Sequence, residues 1–337
     1  MWTRRLLALA GLSLVAAPSP GTRPSNAAAV ARVDAGLVDV RVVLGMLGEQ
    51  GAATGMVLAA DGVVVTNNHV VRGATSIVVT DVGNHRTYRA TVTGYDIRDD
   101  VALLRLVGAH GLARVPLGSS QRLRIGAPVT AVGNAGGRGG VPRAATGVLT
   151  TLHRTITAED AFGGSERLVA VLGTSAPLQP GDSGGALVSA AGRVIGMDTA
   201  GSTGAPSGSA TVGYALPINR VLRIVRAIEA GHRSAAIHVG PTAFLGVEAV
   251  QRLYFDGSGW AQGPVVAAVL PGTPAAAAGL VPGDVITSLG GSAVSSVAAL
   301  TARLVAAEPG SSVELDWLTR SGTAQHAEVT LASGPAQ

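Results

Sequence analysis

Residues 179–185 read Gln179-Pro180-Gly181-Asp182-Ser183-Gly184-Gly185. A serine set among glycines suits a tight turn that leaves its hydroxyl exposed, because glycine reaches backbone angles that other residues resist. The same bend aims neighbouring N–H groups at one point. Here those of Gly181 and Ser183 would receive the oxyanion that forms when a nucleophile attacks a carbonyl. A Gly-rich hairpin without any chemistry reads the same way in isolation, so the serine must be matched with partners elsewhere.

A serine hydroxyl is a poor nucleophile at neutral pH and needs a base. Of seven His, His69 stands out: it follows an apolar run in Thr66-Asn67-Asn68-His69-Val70-Val71. His85, His110, His153, His232, His238 and His326 sit in polar or linker contexts and read as surface residues. The base needs a carboxylate to hold its tautomer and stabilise the imidazolium. Asp99-Asp100 precedes the apolar run 101–106, and Asp100, which adjoins it, is favoured over Asp99. The stretch around Ser183 also fits the G-x-S-x-G elbow of α/β-hydrolases, but that motif expects a helix after the serine and the order Ser, acid, His. Here 186–188 reads as a strand, a turn follows at Ala191-Gly192, and the order is His69, Asp100, Ser183.

The surrounding text is strand and turn. Asp61-Gly62 between apolar runs predicts a hairpin. Further short apolar runs at 101–106, 128–132, 167–172, 186–188 and 193–197, separated by turn residues, predict a barrel or sandwich. Residues 219–228 form an amphipathic helix, with Arg220, Arg223 and Arg226 on a solvated face. The run 133–140 lacks the Lys-Ser/Thr ending and following helix of a phosphate loop, and reads as a flexible loop. Residues 231–241 read as a linker. Beyond it, strands near 244–249, 265–270, 284–289, 313–318 and 327–331, with a helix over 297–307, form a second domain.

Taken together, Thr66-Asn67-Asn68-His69-Val70-Val71, the stretch from Asp100 to Leu104, that from Ala131 to Asn134, residues 179–185 and that from Val194 to Met197 resemble the HtrA (Deg) family, and the match runs over roughly residues 38–333. The resemblance implies a mainly β chain: a chymotrypsin/trypsin-like double β-barrel followed by a PDZ domain of α+β type. It implies a serine endopeptidase with its triad on His69, Asp100 and Ser183, acting on unfolded or damaged envelope proteins. The family often has Asn before the serine, where this chain has Asp182. In this fold the S1 pocket is floored six residues before the nucleophile, at Pro177, with Met197 and Thr199 on its wall. Pro177 brings no carboxylate, and Asp198 is expected to turn away from the pocket, so a small or medium aliphatic P1 residue is expected. Phe244-Leu245-Gly246-Val247 and the stretch 276–286 resemble a bacterial PDZ domain, in which Leu245, Gly246 and Val247 would cradle a peptide C-terminus. The family also implies a homotrimer. A reading from a different class is a PDZ-centred binding or chaperone protein with a latent or inert protease domain; a complete triad argues against inertness.

Composition narrows the remaining classes. The chain has 337 residues, 47% of them hydrophobic and 14% charged, which is room for two cored domains. All of its 25 basic residues are Arg; they are scattered, so nucleic acid is not an expected partner. With no Cys there is no disulfide, thiolate zinc site or Cys nucleophile, and neither a metal nor another cofactor is expected. Trp2-Thr3-Arg4-Arg5 and the apolar residues 6–17 read as an export signal, cleaved near Ala17 or near Ala27-Ala28. Twelve apolar residues are short of the roughly 20 that span a bilayer, so cleavage is favoured over an anchor. The expected division is an export segment and lead-in over 1–30, a protease domain over 31–230, a linker over 231–241 and a PDZ domain over 242–333.

Overall fold

The computed structural model describes residues 27–44, 49–159, 165–201, 213–255 and 259–336. A short helix, α1 (Ala27–Asp34), leads into six strands: β1 (Leu37–Leu44), β2 (Glu49–Ala59), β3 (Val63–Thr66), β4 (Ser76–Asp81), β5 (Thr87–Asp96) and β6 (Val101–Leu106). They run in the order β5-β4-β1-β2-β3-β6, and a β5–β6 pairing closes the sheet on itself. The Asp61-Gly62 hairpin forms as the sequence predicts, with Met56 opposite Val65 and Gly62 at φ +94°. Between β3 and β4 lies the single turn α2 (Asn68–Val71).

A second barrel repeats the device. It comprises β7 (Pro128–Gly133), β8 (Arg143–Glu159), β9 (Ser165–Thr174), β10 (Ala186–Ser189), β11 (Val194–Gly201) and β12 (Gly213–Pro217), closed in the order β10-β11-β12-β9-β8-β7. Each barrel is filled by its own aliphatic side chains. A further cluster runs between them, from Leu37, Met56 and Leu103 to Val132, Ala186, Met197 and Leu216. Helix α3 (Ile218–Glu229) seals it with Val221, Ile224, Val225 and Ile228.

Three expectations change here. Val30 and Val33 of α1 are buried in the core, so residues 27–30 belong to a packed helix rather than to the lead-in; the rest of the segment 1–30 lies outside the described residues. Arg220 is not on a solvated face: it reaches the carbonyls of Val169 (2.6 Å) and Ala170 (3.2 Å). Residues 231–241 are not a free linker either. Ile237–Val239 forms β13 and pairs with β5, Ile237 opposite Asp96 and Val239 opposite Gly94.

The last unit begins at once. Strand β14 (Thr242–Phe244) pairs with the final strand β21 (Ala332–Gly334). The main sheet holds β15 (Val247–Phe255), β16 (Trp260–Val269), β17 (Val285–Leu289), β19 (Ser312–Leu318) and β20 (Ala324–Thr330) in that order, with the short β18 (Ser292–Ala293) beside β17. The one-turn α4 (Pro274–Ala277) and the longer α5 (Val297–Ala306) cover it. Ser296 caps α5 by accepting from the Ala299 N–H. Leu300 and Leu304 of α5 pack with Leu245, Val266, Ile286, Leu315 and Trp317.

The unit is joined to the first barrel by more than the chain. Val305 and Ala336 belong to the barrel's own apolar cluster, and the Gly73 N–H donates to the Ala336 carbonyl (2.9 Å). His238, read from sequence as a surface residue, is only 2% exposed. Its ring stacks at 5.1 Å on Tyr95, and its two nitrogens lie 3.0 Å from the Val305 and Pro241 carbonyls. The surface reading failed because the linker it assumed is a strand.

Candidate active site

Strand register brings the acid to the base. Thr66 of β3 faces Ala102 of β6 in an antiparallel ladder, so two residues further on in one strand and two back in the other, position 68 meets position 100. His69 follows at the start of α2. Its Nδ1 lies 2.9 Å from Asp100 Oδ2, and its backbone N–H donates to Oδ1 at 2.9 Å. Asp100 is fully buried. It sits at φ +52°, a left-handed conformation that Asp tolerates better than most residues. The Asn67 side chain holds it there by donating to the Asp100 carbonyl (3.0 Å). Asp99 turns elsewhere: Arg220 Nη1 is 3.5 Å from its Oδ1, and its N–H donates to Asp96.

Thr199 connects this pair to the serine. Its hydroxyl donates to Asp100 Oδ2 at 2.7 Å, and its carbonyl accepts from Ser183 Oγ at 3.2 Å. Ser183 lies between β9 and β10, on the turn the glycines predict. Gly184 has φ +81°, and a Cβ there would sit 2.0 Å from the Thr54 carbonyl, so no larger residue fits behind the serine.

The turn is braced on the other side by Thr54 of β2. Its hydroxyl donates to the Gly181 carbonyl (2.7 Å), its N–H donates to the Ser183 carbonyl (2.9 Å), and the Asn134 N–H donates to its hydroxyl (2.8 Å). The Gly136 N–H donates to the Pro180 carbonyl at 2.7 Å. The Gly-rich run 133–140 therefore buttresses the serine turn rather than forming a free loop. In a planar trans peptide the C=O and N–H point opposite ways. Tying the Pro180 carbonyl to Gly136 thus turns the Gly181 N–H the other way. Sequence reading missed Thr54 because its only signal is one small polar residue in an apolar strand.

The expected pocket residues are dispersed. Pro177 is exposed and its carbonyl accepts from Arg143 (3.0 Å). Leu178, beside it, packs on Gly213, where a Cβ would meet its Cγ at 2.6 Å. Met197 is enclosed in the core between the barrels, and the Thr199 hydroxyl is spent on Asp100. Neither side chain is free to line a pocket wall.

Two carboxyls lie buried behind the serine. Asp182 accepts from the Gln179 N–H (2.9 Å), with Arg143 Nη1 3.9 Å away. Burial raises its pKa against both of those partners. Asp198 is fully buried, and neither of its oxygens has a partner among the described residues. Burial, and then the charge of Asp182, push it well above the ordinary carboxylate value. The folded protein therefore keeps a proton on Asp198 that the unfolded chain gives up, and stability drains away as pH rises above the unfolded value. An amide holds no such proton. In a Ser183→Ala background, Asp198→Asn is expected to raise Tm by a few degrees at pH 7 by calorimetry, with the gain shrinking toward pH 4. A fall in Tm at pH 7 would show that Asp198 has a stabilising partner.

Paired six-stranded barrels, with a His–Asp pair and a glycine-held serine meeting at Thr199, define the trypsin-like peptidase class. The comparisons agree: residues 53–197 match the trypsin-like peptidase domain family and residues 243–331 match the PDZ domain family. Serine protease PepD of Mycobacterium tuberculosis is 32% identical, over 93% of this chain and 68% of its own length. The periplasmic pH-dependent serine endoprotease DegQ of Escherichia coli is 32% identical, over 84% of this chain but 59% of its own. The solved structure of the HtrA-type protease AlgW with tripeptide aligns at TM-score 0.53 and 29% identity, over 93% of this chain and 99% of that one. The chain belongs to the HtrA-type serine proteases, in which a trypsin-like domain carries a PDZ domain.

Proposed function

We infer that this endopeptidase works through Ser183 as nucleophile, His69 as base and Asp100 as the carboxylate that orients it. The observation that carries the reading is Thr199, which touches both Asp100 and Ser183 and so ties the two halves of the machinery to one residue. In the forward step Ser183 Oγ attacks the scissile carbonyl and its proton passes to His69. The imidazolium is stabilised by Asp100, and the oxyanion is met by the Gly181 and Ser183 N–H groups. His69 then gives the proton to the leaving amine, and water repeats the sequence on the acyl-enzyme.

The substrates are unfolded or damaged polypeptides outside the cytoplasm. DegQ is periplasmic by name, and the residue pattern before position 30 is that of an export signal. Peptide C-termini dock at Leu245, Gly246 and Val247. The Leu245 and Gly246 carbonyls are held inward by the Ala275 and Leu270 N–H groups, both at 2.9 Å. The N–H groups of Gly246 and Val247 consequently point the other way, toward the open edge of β15, where a carboxylate would lie.

Cleavage should favour Val, Ala, Ile or Leu at P1. Leu178 and Gly213 offer apolar contact, and Asp198 exposes no surface to a cation. A Lys or Arg head group would lose hydration without gaining a partner. Mapping the sites cut in a denatured protein by mass spectrometry tests this. A dominance of Lys and Arg would mean that a carboxylate reaches the pocket after all.

A further inference from the structure

Among the described residues strand β15 is an edge strand, paired with β16 on one side only. Its first residues belong to the carboxylate loop, but it runs on to Phe255, well past the start of α5. Gln251 marks the N-terminal end of that helix. Its side chain donates to the Ser295 carbonyl (3.3 Å) and accepts from the Val297 N–H (3.1 Å). The Gln251 face of β15 is thus the face that looks to α5. Side chains alternate along a strand, so Leu253 and Phe255 share that face beyond the helix. Trp260 stands opposite Phe255 in the ladder, and their rings meet edge to face at 5.9 Å.

These three side chains are among the most exposed apolar groups described: Leu253 62%, Phe255 53% and Trp260 75%. The chain is poor in aromatics, and its barrel cores are mostly aliphatic. Even so, three of its ten aromatic residues fall within residues 254–260. Exposed apolar surface gathered this way on one element marks a contact site.

We propose that Leu253, Phe255 and Trp260 extend the peptide groove, binding apolar residues of the same polypeptide whose C-terminus sits at Leu245–Val247. This rests on the PDZ reading above. The occupant follows from continuity. A peptide added antiparallel to β15, with its carboxylate at the loop, has its upstream residues running toward Phe255. At about 3.4 Å per residue, those opposite Leu253 and Phe255 lie roughly six to eight positions before the C-terminus. The domain then recognises a longer apolar tail rather than the last few residues alone. Such a tail is what an unfolded protein exposes and a folded one buries.

Titration calorimetry on the full chain bearing Ser183→Ala tests it with four peptides. They are a five-residue acid with an apolar end, the same peptide amidated, a twelve-residue peptide with that end and Leu or Phe six to eight residues upstream, and a twelve-residue control with Ser there. The long apolar peptide is expected to bind about tenfold tighter than the short acid, the worth of burying roughly one large apolar side chain. The Ser control should match the short acid. Trp260→Ser with Leu253→Ser should remove the gain and leave the short peptide's affinity unchanged. Equal affinity for the short acid and its amide, or no binding by any peptide, would instead overturn the C-terminal reading beneath it. Tight binding of the short acid with no gain for the long apolar peptide overturns the extension alone. So does a gain that survives the double variant, or a double variant that only changes the sedimentation of the free protein, which would make the patch a contact between copies.

Discussion

Ser183→Ala and His69→Ala should each lower kcat/KM on unfolded casein by about 10⁴-fold or more, with the double variant little worse than either. The two act in one step, because the hydroxyl attacks only as the imidazole takes its proton. Losing either leaves only the residual rate that the oxyanion donors and substrate binding supply. Neither change should disturb the fold. Ser183 gives up one bond to the Thr199 carbonyl, while the turn stays held by Thr54, Gly136 and the backbone. His69 is partly exposed, with 23% of its side chain open to solvent. Far-UV circular dichroism should therefore match the unmodified protein for both variants and Tm for Ser183→Ala, while His69→Ala takes a partner from the buried Asp100 and should lower Tm. Full activity in Ser183→Ala would remove the serine from the mechanism.

Asp100→Asn is expected to be nearly as damaging, at about 10⁴-fold in kcat, and Asp99→Asn to cost less than about tenfold. Asn is the informative substitution because it keeps the size of the side chain and also tolerates the left-handed backbone at φ +52°. What it cannot keep is the charge pattern. Asp100 accepts from the His69 N–H, from His69 Nδ1 and from the Thr199 hydroxyl. An amide must turn its NH₂ toward one of those groups, which favours the wrong imidazole tautomer. Asp99 lies 3.5 Å from a mostly buried Arg220, and its own N–H donates to Asp96 within the turn, away from His69. The opposite ranking of rates would move the role to Asp99.

The three candidate residues could be singled out because each stands close to a short, almost continuously apolar and buried strand. Thr66 and the run after Asp100 announce β3 and β6, and their pairing places His69 against Asp100 with no freedom left. Thr199 was legible as a position but not in its role. The sequence shows a polar residue in a strand, not that its two ends face different partners. Of the residues expected around the pocket, Pro177 is exposed, and the side chain that packs on Gly213 is that of its neighbour Leu178. Counting back from the serine fixes the sequence position, not the direction the chain takes around Pro180. Residues 231–241 misled for a compositional reason. Gly231, His232, Arg233 and Ser234 look like a tether, while the short strand after them is defined only by its pairing with β5.

That strand changes how the two ligand sites can cooperate. A floppy tether would let the PDZ unit swing a captured tail through a wide volume, and delivery to Ser183 would be a matter of effective concentration set by linker length. With Ile237–Val239 woven into the first barrel, and Val305 and Ala336 inside its apolar cluster, the reach must come from the captive instead. If substrate ends dock at Leu245–Val247 as proposed, a substrate is cut in the same protomer only when enough of it is unravelled to reach Ser183. On the proposed reading, selection for unfolded chains is partly a matter of reach, with the protein as the ruler. It also follows that cutting the chain at residue 241 would strip apolar cover from both halves.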